Sequence, residues 1–332
     1  MSAVQGIPWV MTVTASESQS VFLPKSAFQR RRDWVFVWAT RIAVFFSAFL
    51  LLWLSLEIGI QALPAIQKFG LRFFWSATWD PVENNYGAWA QIYGTLVSSL
   101  IALIVGIPFS FGISIFLSED FLPKPLRLAL TIVVELLAAI PSVVFGIWGL
   151  FVFIPFFRPI QMAIYERLNW IPLFSTPPIG PGMLTAGVVL GIMIIPIITA
   201  IAREVLVSVP PELRAAAYAM GATRWEAIFG VVLPAAIGGM LGAVVLGLGR
   251  AMGETMAVAM LIGNSRSISI SLFAPASNIP ALLANEFGEA GGEQIAALMY
   301  AALILLLVTL LVNVIAEWLV RSVKFALTAS RE

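Results

Sequence analysis

Six apolar stretches dominate this chain, over 35–61, 91–117, 128–155, 183–207, 230–262 and 295–320. Each exceeds the roughly 20 residues that a helix needs to cross a bilayer. Backbone polar groups find no water in hydrocarbon, so segments of this length must satisfy their hydrogen bonds internally, as helices. Composition leaves no soluble alternative. Apolar residues make up 60% of the chain and charged residues 11%, against about 25% charged in a soluble domain. The expected fold class is an all-α membrane protein with six transmembrane helices.

The same composition excludes several kinds of function. There is no Cys and no His, which removes thiolate nucleophiles, imidazole bases, disulfides and metal sites ligated by nitrogen or sulfur. The acidic residues are scattered, so neither a catalytic residue nor a metal site is expected. A net charge of +1 supplies no basic footprint for nucleic acid. No G-x-x-x-x-G-K-[ST] sequence occurs, so ATP hydrolysis by the P-loop mechanism must come from another subunit.

Basic residues orient the chain. With the N-terminus inside, twelve Lys and Arg face the cytoplasm, among them Lys25, Arg30, Arg31, Arg32, Lys124, Arg127, Arg214 and Arg321. Five face outward: Lys68, Arg72, Arg158, Arg167 and Arg266. Both termini are therefore expected inside. The segment before Asp33 lacks the apolar region of a signal peptide and reads as a tail. The domain reading is a cytoplasmic tail over 1–33, a transmembrane domain over 34–325 and a short tail over 326–332. Trp75, Trp79, Tyr86, Trp89 and Tyr93 gather between the first two stretches. They fit either an interfacial belt or the packing of an outer loop. Pro141 and Pro196 fall inside the third and fourth stretches and predict kinks there.

Between the fourth and fifth stretches the chain carries a segment that a simple bundle does not need. Pro210 and Pro211 stop one helix, and Pro211 with Glu212 suits the first turn of another. Leu213, Ala216, Ala217 and Met220 recur at helical spacing and predict a short helix with one small apolar face. Gly221 permits the left-handed residue that ends it, and Thr223 is placed to cap the next helix. A helix this short is unstable alone, so it docks either on its own bundle or on a cytoplasmic partner.

The fifth stretch holds Arg250 and Glu254, costing at least about 2.5–3.5 kcal/mol each near a bilayer centre. A continuous helix would set the two on one face, yet exposed pairs at that spacing contribute only about 0.2–0.5 kcal/mol. A water-lined path for an oxyanion accounts for the pair better, because guanidinium offers a planar fork of donors and stays charged. Gly238, Gly242, Gly249 and Gly253 add small-xxx-small spacings that predict a closely packed neighbour.

The segment over 209–234 resembles the EAA coupling loop of ABC-importer permeases. Ala216-Ala217, Gly221 and Val231-Val232-Leu233-Pro234 match its pattern, while Ala215 stands where the family has Glu. More specifically, Leu246–Asn264, Ala284–Ala290 and Phe74–Pro81 are similar to the PstC-type permeases of phosphate-specific (Pst) ABC importers, and the likeness covers about residues 35–325. The resemblance implies a type I importer permease (MetI-like) architecture in the cell inner membrane. It also implies a PstA-like second permease, two PstB-like ATPases that bind ATP and Mg, and a PstS-like phosphate-binding protein outside. Arg250, Glu254 and Thr255 then belong to the substrate path. Glu212, Ala216, Ala217, Gly221, Thr223 and Arg224 belong to the coupling surface. Glu254 either accepts from the P–OH of hydrogen phosphate or orients Arg250. A permease of the same kind for another oxyanion, molybdate or sulfate, is the nearest alternative. An ion-coupled secondary transporter is a more distant one, since it needs neither the loop nor a partner ATPase.

Overall fold

The computed structural model of the chain describes residues 27–329, with side chains described over 31–322. It is almost wholly helical. The elements in order are α1 (Ala27–Phe69), α2 (Arg72–Trp75), β1 (Trp79–Asp80), β2 (Asn85–Tyr86), α3 (Trp89–Ser118), α4 (Lys124–Ala138), α5 (Ser142–Trp148), α6 (Ile154–Leu168) and α7 (Met183–Ser208). Then come α8 (Pro211–Ala219), α9 (Arg224–Ala227), α10 (Leu233–Gly253), α11 (Met256–Leu261), α12 (Ile279–Glu286) and α13 (Glu293–Ala329). Single π-helical turns, Gly149–Phe153 and Ile228–Val232, join α5 to α6 and α9 to α10. Among the described residues six helices are long and apolar enough to cross a membrane: Arg31–Phe69, Trp89–Ser118, Ser142–Leu168, Met183–Ser208, Arg224–Gly253 and Glu293–Ser322.

Two of the expected spans need correction. The third does not run over 128–155. Hydropathy is continuous there, but proline lacks the N–H a helix interior requires and disfavours helix in the residue before it. The helix accordingly ends at Ala138, and a new one starts at Ser142 with Pro141 extended at ψ 140°. The crossing element is Ser142–Leu168, and α4 is a separate helix ahead of it. Pro141 thus separates two helices instead of kinking one, whereas Pro196 does lie inside α7. The fifth expected span, 230–262, is likewise two helices. α10 stops at Gly253, Glu254 turns extended at ψ 125°, and α11 begins at Met256. At the outer end of the first span, helix continues to Phe69, eight residues beyond the expected boundary.

The chain divides into two compact units, 1–56 and 57–332. Most of the tail expected over 1–33, and the last residues of the tail expected over 326–332, lie outside the described residues. Where they are described, helix starts at Ala27 and continues to Ala329. Within the first unit, the hydroxyls of Thr40, Ser47 and Ser55 each donate to the carbonyl four residues back. That pairing hides their polarity from lipid. Arg41 lies over the Trp38 ring at 5.5 Å, an internal contact for a basic group in an apolar helix.

The second unit is built around α7, which packs on α3 and α10 through Ile101, Val189, Leu190, Ile194, Ile198, Met240 and Ala243, all buried. Helices in lipid gain nothing from the hydrophobic effect, so they associate by close backbone approach at small residues. Gly187 and Gly191 of α7 provide it, receiving Ile101 and Val105 of α3. The close neighbour expected along the fifth span is met by glycines outside the row named for it. Gly239 and Gly247 make the close contacts, with Val205 and Ile198, whereas Gly242, Gly249 and Gly253 face open space in this chain. A second cluster holds the outer end together, with Phe73, Trp79, Tyr86, Ile279, Leu298 and Tyr300 buried. Trp79 and Tyr86 are cross-strand partners with ring centroids 5.0 Å apart. Both act as loop packing, the second of the two roles weighed for the aromatic group, while Trp75 and Trp89 remain exposed.

Candidate coupling surface and charged break

The segment after α7 folds as its residues dictate. Pro211 and Glu212 occupy the first turn of α8, where a missing N–H costs nothing and a negative charge meets the positive helix end. Gly221 takes φ +85°. It donates to the Tyr218 carbonyl at 3.0 Å, and Ala222 donates to Ala217 at 3.1 Å. These two bonds form the Schellman ending that satisfies the last carbonyls. Thr223 then caps α9 in a reciprocal box: its hydroxyl accepts from the Glu226 N–H, and the Glu226 carboxylate accepts from the Thr223 N–H at 2.7 Å.

The face that α8 presents differs from expectation. Ala217 is the buried residue of the helix. Leu213 is half exposed, Ala216 is exposed and Met220 is 91% exposed. Of the apolar stripe read from spacing, Leu213, Ala216 and Met220 therefore point away from the chain, while Ala217 packs inward. The helix is held instead by Arg214, which sequence reasoning passed over. Its guanidinium donates to Glu119 Oε1 at 3.0 Å and to the carbonyls of Leu206 and Val209, each at 2.8 Å. Arg224, exposed, donates to the Asp120 carbonyl at 3.1 Å and lies over the Phe121 ring. The missed signal was charge at helix ends, Glu119 after α3 and Arg214 entering α8, but nothing in the sequence pairs two residues so far apart.

At the far end of α10, Arg250 sits in the last turn and is exposed, where a cation complements the negative helix end. It shares an outward face with Gly242, Leu246, Gly249 and Gly253. The break at Glu254 overturns the expectation that the two charges share one face of a continuous helix. Among the described residues Arg250 and Glu254 form no ion pair. Glu254 is buried, and its Oε1 accepts from the Ala257 N–H at 3.4 Å, at the start of α11. Thr255 donates to the Gly253 carbonyl at 3.2 Å. The structure thus brings Glu254 and Thr255 together in the break and leaves Arg250 apart from them.

Across the outer loops a polar hub was also missed. Glu286 accepts from Trp79 Nε1 at 2.6 Å, Arg266 at 2.8 Å and Gln294 at 2.9 Å. Lys68 pairs with Glu293 beside it. The hub ties the loop after α1 to the loop before α12 and to the start of α13.

Six helices long and apolar enough to cross a membrane, with a short helix docked between the fourth and fifth, describe a multi-pass membrane protein. A family model described as binding-protein-dependent transport system inner membrane component matches residues 110–325, and the chain belongs to that family. It is 44% identical over 292 residues to the phosphate transport system permease protein PstC of Xylella fastidiosa (strain 9a5c), covering 86% of this chain and 90% of that one. Against PstC of Haemophilus influenzae the figures are 42% over 306 residues, 90% and 97%. The probable PstC of Methanocaldococcus jannaschii gives 38% over 266 residues, 77% and 83%. A bacterial alginate ABC transporter, solved in complex with an alginate pentasaccharide-bound periplasmic protein, has a chain that superposes with a TM-score of 0.57 at 16% identity. That match covers 91% of this chain and 99% of that one, and it supports the fold alone. The protein is a non-catalytic transport subunit, multi-pass in the inner membrane, and works with partner subunits as an ABC importer.

Proposed function

We propose that this chain is the PstC-type permease of an ATP-driven importer of inorganic phosphate. The observation that carries the reading is similarity at 38–44% identity, over most of the chain, to permeases named for phosphate transport. The chemistry of the fifth span agrees with it. Arg250 is a fixed, exposed cation without an ion-pair partner among the described residues, on a helix otherwise apolar. A guanidinium fork suits a tetrahedral oxyanion.

In this reading a PstA-like permease packs against the open face of α10, where Gly242, Gly249 and Gly253 leave room for another helix. A PstS-like protein delivers phosphate from outside. Arg250 offsets the anion's charge as it passes, and Thr255 offers a hydroxyl beside the break. Glu254, already engaged with the Ala257 N–H, holds the break in shape. Two PstB-like ATPases bind ATP and Mg, which this chain does not. One receives the exposed face of α8, with Glu212, Ala216 and Met220 outward and Gly221, Thr223 and Arg224 setting its exit.

The test is reconstitution of the chain with those partners in proteoliposomes, with labelled phosphate outside and ATP within. Uptake should require ATP and the binding protein, and should resist excess sulfate or molybdate. Uptake of sulfate or molybdate in preference to phosphate would reassign the substrate. Uptake driven by an ion gradient without ATP would overturn the importer reading altogether.

A further inference from the structure

The chain links α8 covalently to α7 before it and to α10 after it, and to no other crossing helix. The contacts of Arg214 add a third. Its guanidinium bridges three acceptors at once: Glu119 Oε1 at the end of α3, and the carbonyls of Leu206 and Val209 at the end of α7. Those carbonyls belong to the last turn of α7 and its cap, where the Leu206 carbonyl otherwise accepts only a long 3.4 Å bond from the Val209 N–H, and they carry the negative end of the helix dipole. The Glu119 side chain is 8% exposed and that of Arg214 19%. Removing one partner of a pair this enclosed leaves the other buried and uncompensated, so each holds the other in place. The other end of the coupling segment returns to the same turn, through Arg224 to the Asp120 carbonyl and Trp225 to the Phe121 ring at 5.2 Å. Residues 119–121 are thus clasped from both sides of α8.

From this geometry we infer that Arg214 is a positioning residue for energy coupling. It fastens the cytoplasmic end of α3 to α8 and α7, so that a displacement of α8 by a partner moves α3 with it, although the chain does not connect them directly. α3 packs along α7 through the core of the unit, so such a displacement is delivered to the helix pair around which the rest is built. Ala215, standing where the family pattern has Glu, leaves the Arg214–Glu119 pair as the ion pair that α8 makes among the described residues. The inference rests on the proposed importer reading, and its test separates the two.

The parent chain contains no Cys, so Ser118→Cys and Ala222→Cys can carry a spin-label pair reporting the gap between α3 and the exit of α8. In the reconstituted importer, that separation should stay constant through nucleotide binding and hydrolysis. With Arg214→Gln added, it should change between nucleotide states. Phosphate taken up per ATP hydrolysed should then fall at least tenfold, with hydrolysis itself continuing. Glu119→Gln preserves shape and an acceptor while removing the charge, and should show the same defect at about threefold. Arg321→Gln breaks an ion pair with Glu317 within α13 that touches neither α8 nor residues 119–121, and should leave the ratio unchanged. Should Arg214→Gln fail to assemble, Glu119→Gln decides the matter. An unchanged ratio in whichever variant assembles, or a label separation that already varies in the parent, overturns the inference. Absence of phosphate uptake by the parent complex would refute the substrate reading alone, since label separation and hydrolysis are read without it.

Discussion

Arg250 and Gly221 show how much a single position can carry in this chain. Arg250 complements the end of α10, a role worth about 0.3–1 kcal/mol, which is small against the cost of holding a guanidinium in an apolar helix. Its replacement should therefore leave folding nearly intact and remove function. Arg250→Ala is expected to insert and assemble normally while abolishing phosphate uptake, and Arg250→Lys to be impaired because an ammonium lacks the fork. Uptake by assembled complexes checks both, and normal transport by Arg250→Ala would remove the residue from the substrate path. Gly221 presents the opposite case. A Cβ there meets nothing within 4 Å, so the cost of a side chain is purely the left-handed backbone, about 1 kcal/mol or more. Gly221→Val should lose the Schellman ending and reorient α8. Uptake and substrate-stimulated hydrolysis are then expected to disappear while basal hydrolysis persists. Full stimulated hydrolysis in that variant would sink the coupling assignment.

At the scale of elements, α3 supplies its own control. A Cβ on Gly94 would lie 1.9 Å from the Ser277 carbonyl oxygen, so the helix touches the loop before α12 backbone to backbone. Gly112, in the same helix, has open space around it. Gly94→Ala should destabilise the purified chain by about 1–3 kcal/mol through overpacking. Gly112→Ala should be neutral or gain up to about 1 kcal/mol from helix propensity. Thermal unfolding of the two in one detergent compares them, and equal midpoints would contradict the contact. Legibility from sequence follows the same division. The short helix over 211–220, its Pro start, Gly end and Thr cap were readable because each depends on neighbours a few residues away. The break at Glu254 was not, because apolarity continues across it and no proline marks it. Pro141 did mark the break ahead of α5, but hydropathy masked it.

For the molecule as a whole, the outer hub sets a pH limit. Burial, and after it the nearby Glu286, Glu293 and Asp80, raise the Tyr86 phenol above its ordinary value of 10.0. The folded chain then keeps this proton at a pH where the unfolded chain has lost it. Stability from Tyr86 is thus complete below pH 10 and declines as pH rises through the folded value. Thermal midpoints should fall above pH 10, and Tyr86→Phe should flatten part of that slope. An identical slope in the variant would show that Tyr86 does not titrate as described.

Span number, orientation, the absence of Cys and His chemistry, and the docked helix between α7 and α10 all followed from sequence alone. They depend on hydrophobic length, charge count and local turn geometry, which are properties of contiguous residues. Tertiary structure decided which glycines of α10 touch α7, which face of α8 is free, and that Arg214 meets Glu119 while Arg250 and Glu254 form no ion pair among the described residues. Those outcomes depend on distances between residues far apart in the chain, such as the 95 positions that separate Arg214 from Glu119. No periodicity or composition encodes such a distance before the helices pack.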